Sequence, residues 1–195
     1  MIAIIDYNTG NLRSVENILK RIGSEYVITS DAAVIASADR VLLPGVGAAG
    51  AAMQRLNERG LCEVIRSLTA PTLGICLGMQ LMCSYSEEDD TECLGIFSNK
   101  IMKIKPKDDI KIPHVGWNQI YNLKSSLYEG ISEREYVYFV HSYAANMNEN
   151  VIATSFHGEE FGASLGRDNF YGCQFHPEKS GDIGEQIIRN FVHFF

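Results

Sequence analysis

Clustered positive charge is missing from this chain. Its 17 lysines and arginines are scattered and outnumbered by 24 acidic residues, for a formal charge of −7. Nucleic acid and anionic membrane surfaces are bound by concentrated positive charge, so neither is expected as a partner. No apolar run reaches the length of a bilayer span. Residues 1–6, Met1-Ile2-Ala3-Ile4-Ile5-Asp6, lack both a basic stretch and a small-residue cleavage site. They read as a first strand rather than an export signal. Pairing signals among the cysteines are also absent. Cys62, Cys76, Cys83, Cys93 and Cys173 are odd in number and contain no C-x-x-C pair. Neither a zinc site nor a disulfide framework is expected. Four of the five suit small, buried, reduced positions in a cytoplasmic protein. Linkers, low-complexity tracts and repeats are lacking too, so the 195 residues are expected to form one domain, 1–195.

What is present is an alternation. Ile2-Ala3-Ile4-Ile5-Asp6 is a continuous apolar run ending in an acid, as in a central strand covered on both faces. After a turn with Asn11 as its N-cap, Leu12, Val15, Ile18, Leu19 and Ile22 recur at helical spacing and Gly23 stops them. Strands over residues 26–29 and 40–43, helical patterns from Ala51 to Leu56 and from Leu61 to Leu68, and a strand over 72–76 follow. Buried-type strands alternating with helices predict an α/β fold, a mostly parallel sheet with helices on both faces. Beyond the acidic residues 87–90, read as a solvated loop, the texture changes. Residues 101–105, 118–121, 136–140, 151–156, 161–165 and 171–175 read as strands with little helix between them, predicting added antiparallel strands before a last amphipathic helix carrying Ile183, Ile187, Ile188 and Phe191.

In parallel sheets the site lies at the carboxyl ends of the strands. Three such ends carry unusual residues, the first being Asp6-Tyr7-Asn8. At the third, Gly74-Ile75-Cys76-Leu77-Gly78 reads as strand, sharp turn and helix start, with a cysteine flanked by glycine at both second neighbours. This is the spacing of a nucleophile elbow with sulfur in place of a serine oxygen. The glycines relieve crowding where the backbone is strained, and the following helix start favours a thiolate. A core cysteine between incidental glycines fits the same five residues. At the second end, Pro44-Gly45-Val46-Gly47 has the glycines to aim backbone N–H groups at an oxyanion, and equally suits a plain strand-to-helix turn. It lacks the length and the Lys-Ser/Thr ending of a phosphate-binding loop. Far downstream, His176-Pro177-Glu178 follows an apolar strand. A cysteine nucleophile needs a base, and the base needs an acceptor that fixes its tautomer. Cys76, His176 and Glu178 supply all three roles.

With the elbow and the His-Pro-Glu run in hand, the sequence resembles the class I, triad-type glutamine amidotransferases, and among them the glutaminase subunits of imidazole glycerol phosphate synthase. Further residues carry the likeness across nearly the whole chain: Ile4-Ile5-Asp6-Tyr7, Gly10-Asn11-Leu12-Arg13-Ser14-Val15, Pro113-His114-Val115-Gly116-Trp117-Asn118, Tyr138-Phe139-Val140-His141-Ser142-Tyr143, and Gln174 through Ser180. The resemblance implies a flavodoxin-like core and hydrolysis of L-glutamine through a glutamyl thioester on Cys76. It implies that ammonia passes to a separate (β/α)₈-barrel cyclase in a heterodimer, with no cofactor and no metal. It implies an oxyanion hole at Val46, Gly47 and Leu77, and a glutamine site at Gly47, Gln80, Ser142 and Tyr143. Asn11, Trp117, Tyr138, Lys179 and Ser180 would face the cyclase. Family glutaminases of this type are nearly idle alone, and a peptide flip in residues 44–47 would make a switch. Two departures from the family pattern are Ala48-Ala49-Gly50, where Ala then Phe is expected, and Gly181-Asp182 after Ser180, where glutamine is usual. They leave open a paralogous role, supplying ammonia for amidation of a nucleotide sugar.

Overall fold

A computed structural model describes residues 1–8, 12–106 and 110–195. The expected helix cap and partner contact at Asn11 lie outside the described residues. The first part of the chain alternates as the pattern predicts: β1 (Ile2–Ile5), α1 (Leu12–Arg21), β2 (Tyr26–Thr29), α2 (Ala32–Ser37), β3 (Arg40–Gly45), α3 (Ala49–Glu58), α4 (Leu61–Arg66), β4 (Thr72–Cys76) and α5 (Leu77–Met82). Two short strands follow, β5 (Tyr85–Ser86) and β6 (Thr91–Glu92). Then come β7 (Lys100–Lys103), β8 (His114–Gln119), β9 (Tyr136–His141), β10 (Tyr143–Ala145), β11 (Val151–Phe156), β12 (Glu160–Arg167), β13 (Phe170–Cys173) and the closing helix α6 (Gly181–Phe194).

The main sheet runs β2-β1-β3-β4-β13-β12-β10-β7-β5-β6, with β11 added on β12. Its first five strands are mutually parallel. That is the flavodoxin-like order, with the fifth place filled by a strand from near the end of the chain. Thus β13 lies directly beside β4, and the loop after it opens beside the turn after β4. From β13 outward the sheet becomes antiparallel through β12, β10 and β7. Strands β8 and β9 form a separate antiparallel hairpin.

Side-chain alternation along the strands builds two cores. Ala3, Ile5, Val41 and Leu43 pack on one face with Ile35, Met53, Leu56, Leu61 and Ile65 from α2, α3 and α4. Ile2, Ile4, Leu42 and Leu73 pack on the other with Val15, Ile18 and Leu19 of α1 and Ile187, Ile188 and Phe191 of α6. Each such buried aliphatic contributes roughly 1.5–3 kcal/mol relative to exposure. Helix α2 escapes the sequence reading because it is only six residues long. Its local signal is Asp31, whose carboxylate accepts the N–H groups of Ala33 and Val34 at 2.8 and 3.2 Å. Strand β3 also extends through Pro44 and Gly45, which the pattern assigned to a turn. Pairing of β3 with β1 stops at Leu42, two residues before Pro44, whose nitrogen has no hydrogen to give to a ladder.

Candidate active site

Cys76 ends β4 and begins α5. Its backbone sits at φ 52°, ψ −109°, a region costing of order 1–3 kcal/mol for a side-chain-bearing residue. Packing holds it there. A Cβ on Gly78 would fall 1.7 Å from the Leu43 carbonyl oxygen, and one on Gly74 would fall 2.6 Å from the Met79 nitrogen. The glycines around the cysteine let α5 begin in contact with β3 and β4. Gly45 is likewise set by space rather than by angle. It pairs with Cys76 across the sheet, and its missing Cβ would meet the Tyr7 hydroxyl at 2.4 Å. That hydroxyl donates to the Pro44 carbonyl at 3.0 Å, so the ends of β1, β3 and β4 meet beside the sulfur. Gly47 is the opposite case: nothing lies near its Cβ position, but its φ is +100°, which favours glycine.

Loop residues after β13 bring His176, the candidate base. His176 Nδ1 lies 2.8 Å from Glu178 Oε1, and both side chains are almost fully buried. The ring and the Cys76 sulfur line the same cleft and interact electrostatically, so the three residues form one cluster. Burial by itself would lower the His176 pKa. The interactions with Cys76 and with the hydrogen-bonded Glu178 carboxylate outweigh it and raise the pKa to about 10. The loop is pinned from behind by β9: the His176 N–H donates to the Tyr138 carbonyl at 2.9 Å, and the Ser180 hydroxyl accepts the Tyr138 N–H at 2.9 Å while donating to the His176 carbonyl at 2.6 Å. Ser180 is therefore a correction to the sequence reading. It is 2% exposed and fastens the histidine loop to β9 instead of presenting a side chain to a partner.

A group whose pKa is raised on folding contributes stability that is complete below its unfolded value, near 6.5, and is lost as pH rises through the folded value. Replacing Glu178 by Gln removes the carboxylate facing the imidazolium. The expected result is a lower melting temperature than wild type at pH 7, with the gap closing as the pH approaches about 10. Paired melting curves across that range check it.

The cluster opens into a cleft of about 300 Å³ lined by Val46, Gly47, Cys76, Leu77, Gln80, Glu88, Pro113, Val140, His141, Ser142, Tyr143, His176 and Lys179. Residues expected at the oxyanion hole and glutamine site are thus gathered on one wall or another of a single cavity. Glu88 is one lining residue that sequence reading missed, because residues 87–90 look like a solvated acidic loop. Instead they fold against α3. Glu88 Oε2 accepts the Ala49 N–H at 2.9 Å, and Asp89 packs where a Cβ on Gly50 would stand. The missing side chain of Gly50 leaves room for this strap. Burial raises the Glu88 pKa, against the lowering effect of the Ala49 N–H. Gln174, fully buried, is a second missed residue: its Nε2 faces Cys76 Sγ at 3.8 Å while its Oε1 accepts from Gln80 Nε2 at 2.9 Å.

Outside the cleft, Trp117 is 54% exposed and packs edge-on against Tyr138, ring centres 5.9 Å apart. Val115, Tyr136 and Phe156 are also exposed apolar side chains. Among the described residues there is no group of three or more His, Cys, Asp or Glu placed to hold a metal ion, and no helix long and apolar enough to cross a membrane.

Residues 3–194 match the family model described as glutamine amidotransferase class-I. The chain belongs to the class I glutamine amidotransferases. Curated members of that family align along its length. The imidazole glycerol phosphate synthase subunit HisH of Bacteroides fragilis (strain YCH46) is 52% identical, with 98% of each chain covered. The protein of the same name from Haemophilus influenzae (strain ATCC 51907 / DSM 11121 / KW20 / Rd) is 47% identical, covering 98% of this chain and 96% of its own. In fold alone, this amidotransferase is similar to the crystal structure of a glutamine amidotransferase from Thermotoga maritima, with a TM-score of 0.64, 16% identity, and 98% and 81% of the two chains covered.

Proposed function

We propose that this chain is the glutaminase subunit of an imidazole glycerol phosphate synthase, acting in the cytoplasm as one domain, 1–195. It hydrolyses L-glutamine to glutamate and ammonia. The ammonia passes to a separate (β/α)₈ cyclase subunit in a heterodimer, where it converts a phosphoribulosyl-aminoimidazole carboxamide nucleotide to imidazole glycerol phosphate and an aminoimidazole carboxamide ribotide. The observation that carries this reading is the buried Cys76–His176–Glu178 cluster opening onto a cleft large enough for glutamine.

In this reading the sulfur of Cys76 attacks the side-chain carboxamide carbon of glutamine. The oxyanion is met by the N–H of Leu77 and by those of Val46 and Gly47 in the turn. His176, held by Glu178, gives its proton to the departing nitrogen, and the glutamyl thioester forms as the C–N bond breaks. His176 then takes a proton from water, which attacks the thioester and releases glutamate. The substrate's α-ammonium requires an acceptor, and Glu88 is a carboxylate in the wall away from the triad. Gln80 uses its Nε2 on Tyr143 and Gln174, so its Oε1 is the end that serves the substrate, beside backbone groups of Ser142 and Tyr143. The positive φ of Gly47 supports a turn that can change peptide orientation at low cost.

Trp117, Tyr138 and Lys179 form the proposed cyclase-facing surface. Trp117→Ala should weaken the complex about thirtyfold, the effect of losing one central aromatic anchor of about 2 kcal/mol. Calorimetric titration with the cyclase reads that constant. The function itself is tested by mixing this chain with the cyclase from the same genome and following glutamine-dependent formation of imidazole glycerol phosphate. No product, with the cyclase competent on free ammonia, overturns it; equal glutaminase rates with and without cyclase and nucleotide overturn the switch.

A further inference from the structure

The hairpin of β8 and β9 carries two histidines as a register pair, His114 opposite His141, both buried. Their hydrogen bonds have only one consistent direction. His141 Nδ1 lies 2.9 Å from the Tyr143 carbonyl oxygen, which can only accept, so Nδ1 carries the proton. His141 Nε2 is then a lone pair, and His114 Nδ1, 2.8 Å away, must donate to it. His114 Nε2 is in turn a lone pair, faced by the Asn118 amide nitrogen at 3.3 Å. The other hydrogen of that amide goes to the Phe156 carbonyl at 2.8 Å, which fixes the amide. The His114 ring is clamped between Phe139 and His157, with stacked ring centres at 4.9 and 4.0 Å. Burial lowers the pKa of His114 to about 4 and that of His141 to about 3, so both rings are neutral, as the donor sequence requires.

At its inner end the chain of donors reaches the cleft. The Tyr143 carbonyl also accepts from Gln80 Nε2 at 3.0 Å, and Gln80 continues through Gln174 to Cys76 Sγ. His141, Gln80 and Tyr143 all line the cavity. At its outer end Asn118 follows the exposed Trp117. Two neutral imidazoles buried against Phe139 and Phe161 give up hydration that a pair of leucines would not. Packing alone does not call for them.

We propose that His114, set by Asn118, is a positioning residue for the glutaminase reaction: it holds His141 in its Nδ1–H tautomer, and His141 with Gln80 fixes the Tyr143 carbonyl and so the shape of the glutamine-binding wall. This rests on the glutamine site described under the proposed function. The Nδ1–H tautomer is the less populated one for a histidine side chain free in water, so the ordering is a property the fold must impose.

Two measurements on the full chain test it, the kinetic one in complex with the cyclase. Nitrogen-15 chemical shifts of the wild-type imidazoles at neutral pH should show His114 and His141 protonated on Nδ1 only; an Nε2–H or doubly protonated His114 overturns the proposal. His114→Phe keeps the ring and its stacking but neither hydrogen bond. It should raise KM for glutamine roughly tenfold, with kcat within about twofold and ammonia-dependent synthesis intact. His114→Asn restores a donor near Nδ1 and should recover most of the lost KM. An unchanged KM in His114→Phe, or an equal loss of kcat at constant KM in both variants, overturns it. Wild-type complex that uses ammonia but not glutamine would instead refute the underlying reading of the site.

Discussion

Cys76→Ala, assayed in complex with the cyclase, should lose glutamine-dependent synthesis by roughly a thousandfold or more while synthesis from added ammonium continues at the wild-type rate. The separation follows from the geometry. In the proposed mechanism that sulfur forms the thioester, and no other cysteine can replace it, because Cys76 alone among the five lines the cleft with His176. Cys83, Cys93 and Cys173 are also held as thiols by burial, which pushes Cys93 up to about 11 and Cys173 to about 12. His176→Asn should match the loss, since in the proposed mechanism both proton transfers pass through that ring. Glu178→Gln should retain more activity, because it weakens the orientation of the base and leaves the base in place. Glutamine-dependent turnover by Cys76→Ala at more than a few per cent of wild type would show that the nucleophile lies elsewhere.

Gly78→Ala should be the most damaging single-methyl change near the site. Helix propensity alone favours the substitution by about 1 kcal/mol, since Gly78 lies within α5. The added Cβ, however, would stand 1.7 Å from the Leu43 carbonyl oxygen, a backbone atom of β3 that no rotamer change can move. Overpacking of this kind costs about 1–3 kcal/mol where side chains can yield, and more where backbone must shift. Steric overlap therefore wins. A fall in melting temperature of about 10 °C is expected, with loss of glutaminase activity even well below the melting range, because α5 can only yield by carrying Cys76 away from His176. A melting temperature equal to that of wild type would mean that α5 does not start against β3.

Much of this was legible in residue order. The parallel half of the sheet could be read because each strand is a run of apolar residues and each helix a 3.6-residue repeat, as at Val15, Ile18 and Leu19. The short elements escaped for want of period: α2 spans six residues, and β10 only three. The strap at 87–90 misled for another reason. Four consecutive acidic residues normally stay in water, but here Glu88 accepts the Ala49 N–H and Asp89 packs close against Gly50. Ser180 looked like a partner contact beside Lys179, yet its hydroxyl is committed to His176 and Tyr138.

By itself the sequence determined the chemistry available: a cysteine in a glycine-bounded turn, a histidine with its carboxylate two residues on, and a core of alternating strands and helices. These are local facts, set by spacing along the chain. Only the tertiary structure decided that β13 lies beside β4, bringing residues a hundred positions apart within hydrogen-bonding reach. Only it turned Glu88 into the cleft and gave the buried histidines of β8 and β9 a single direction of donation. Proximity between distant segments depends on how the whole sheet is ordered and which side chains leave room, and no local pattern encodes that.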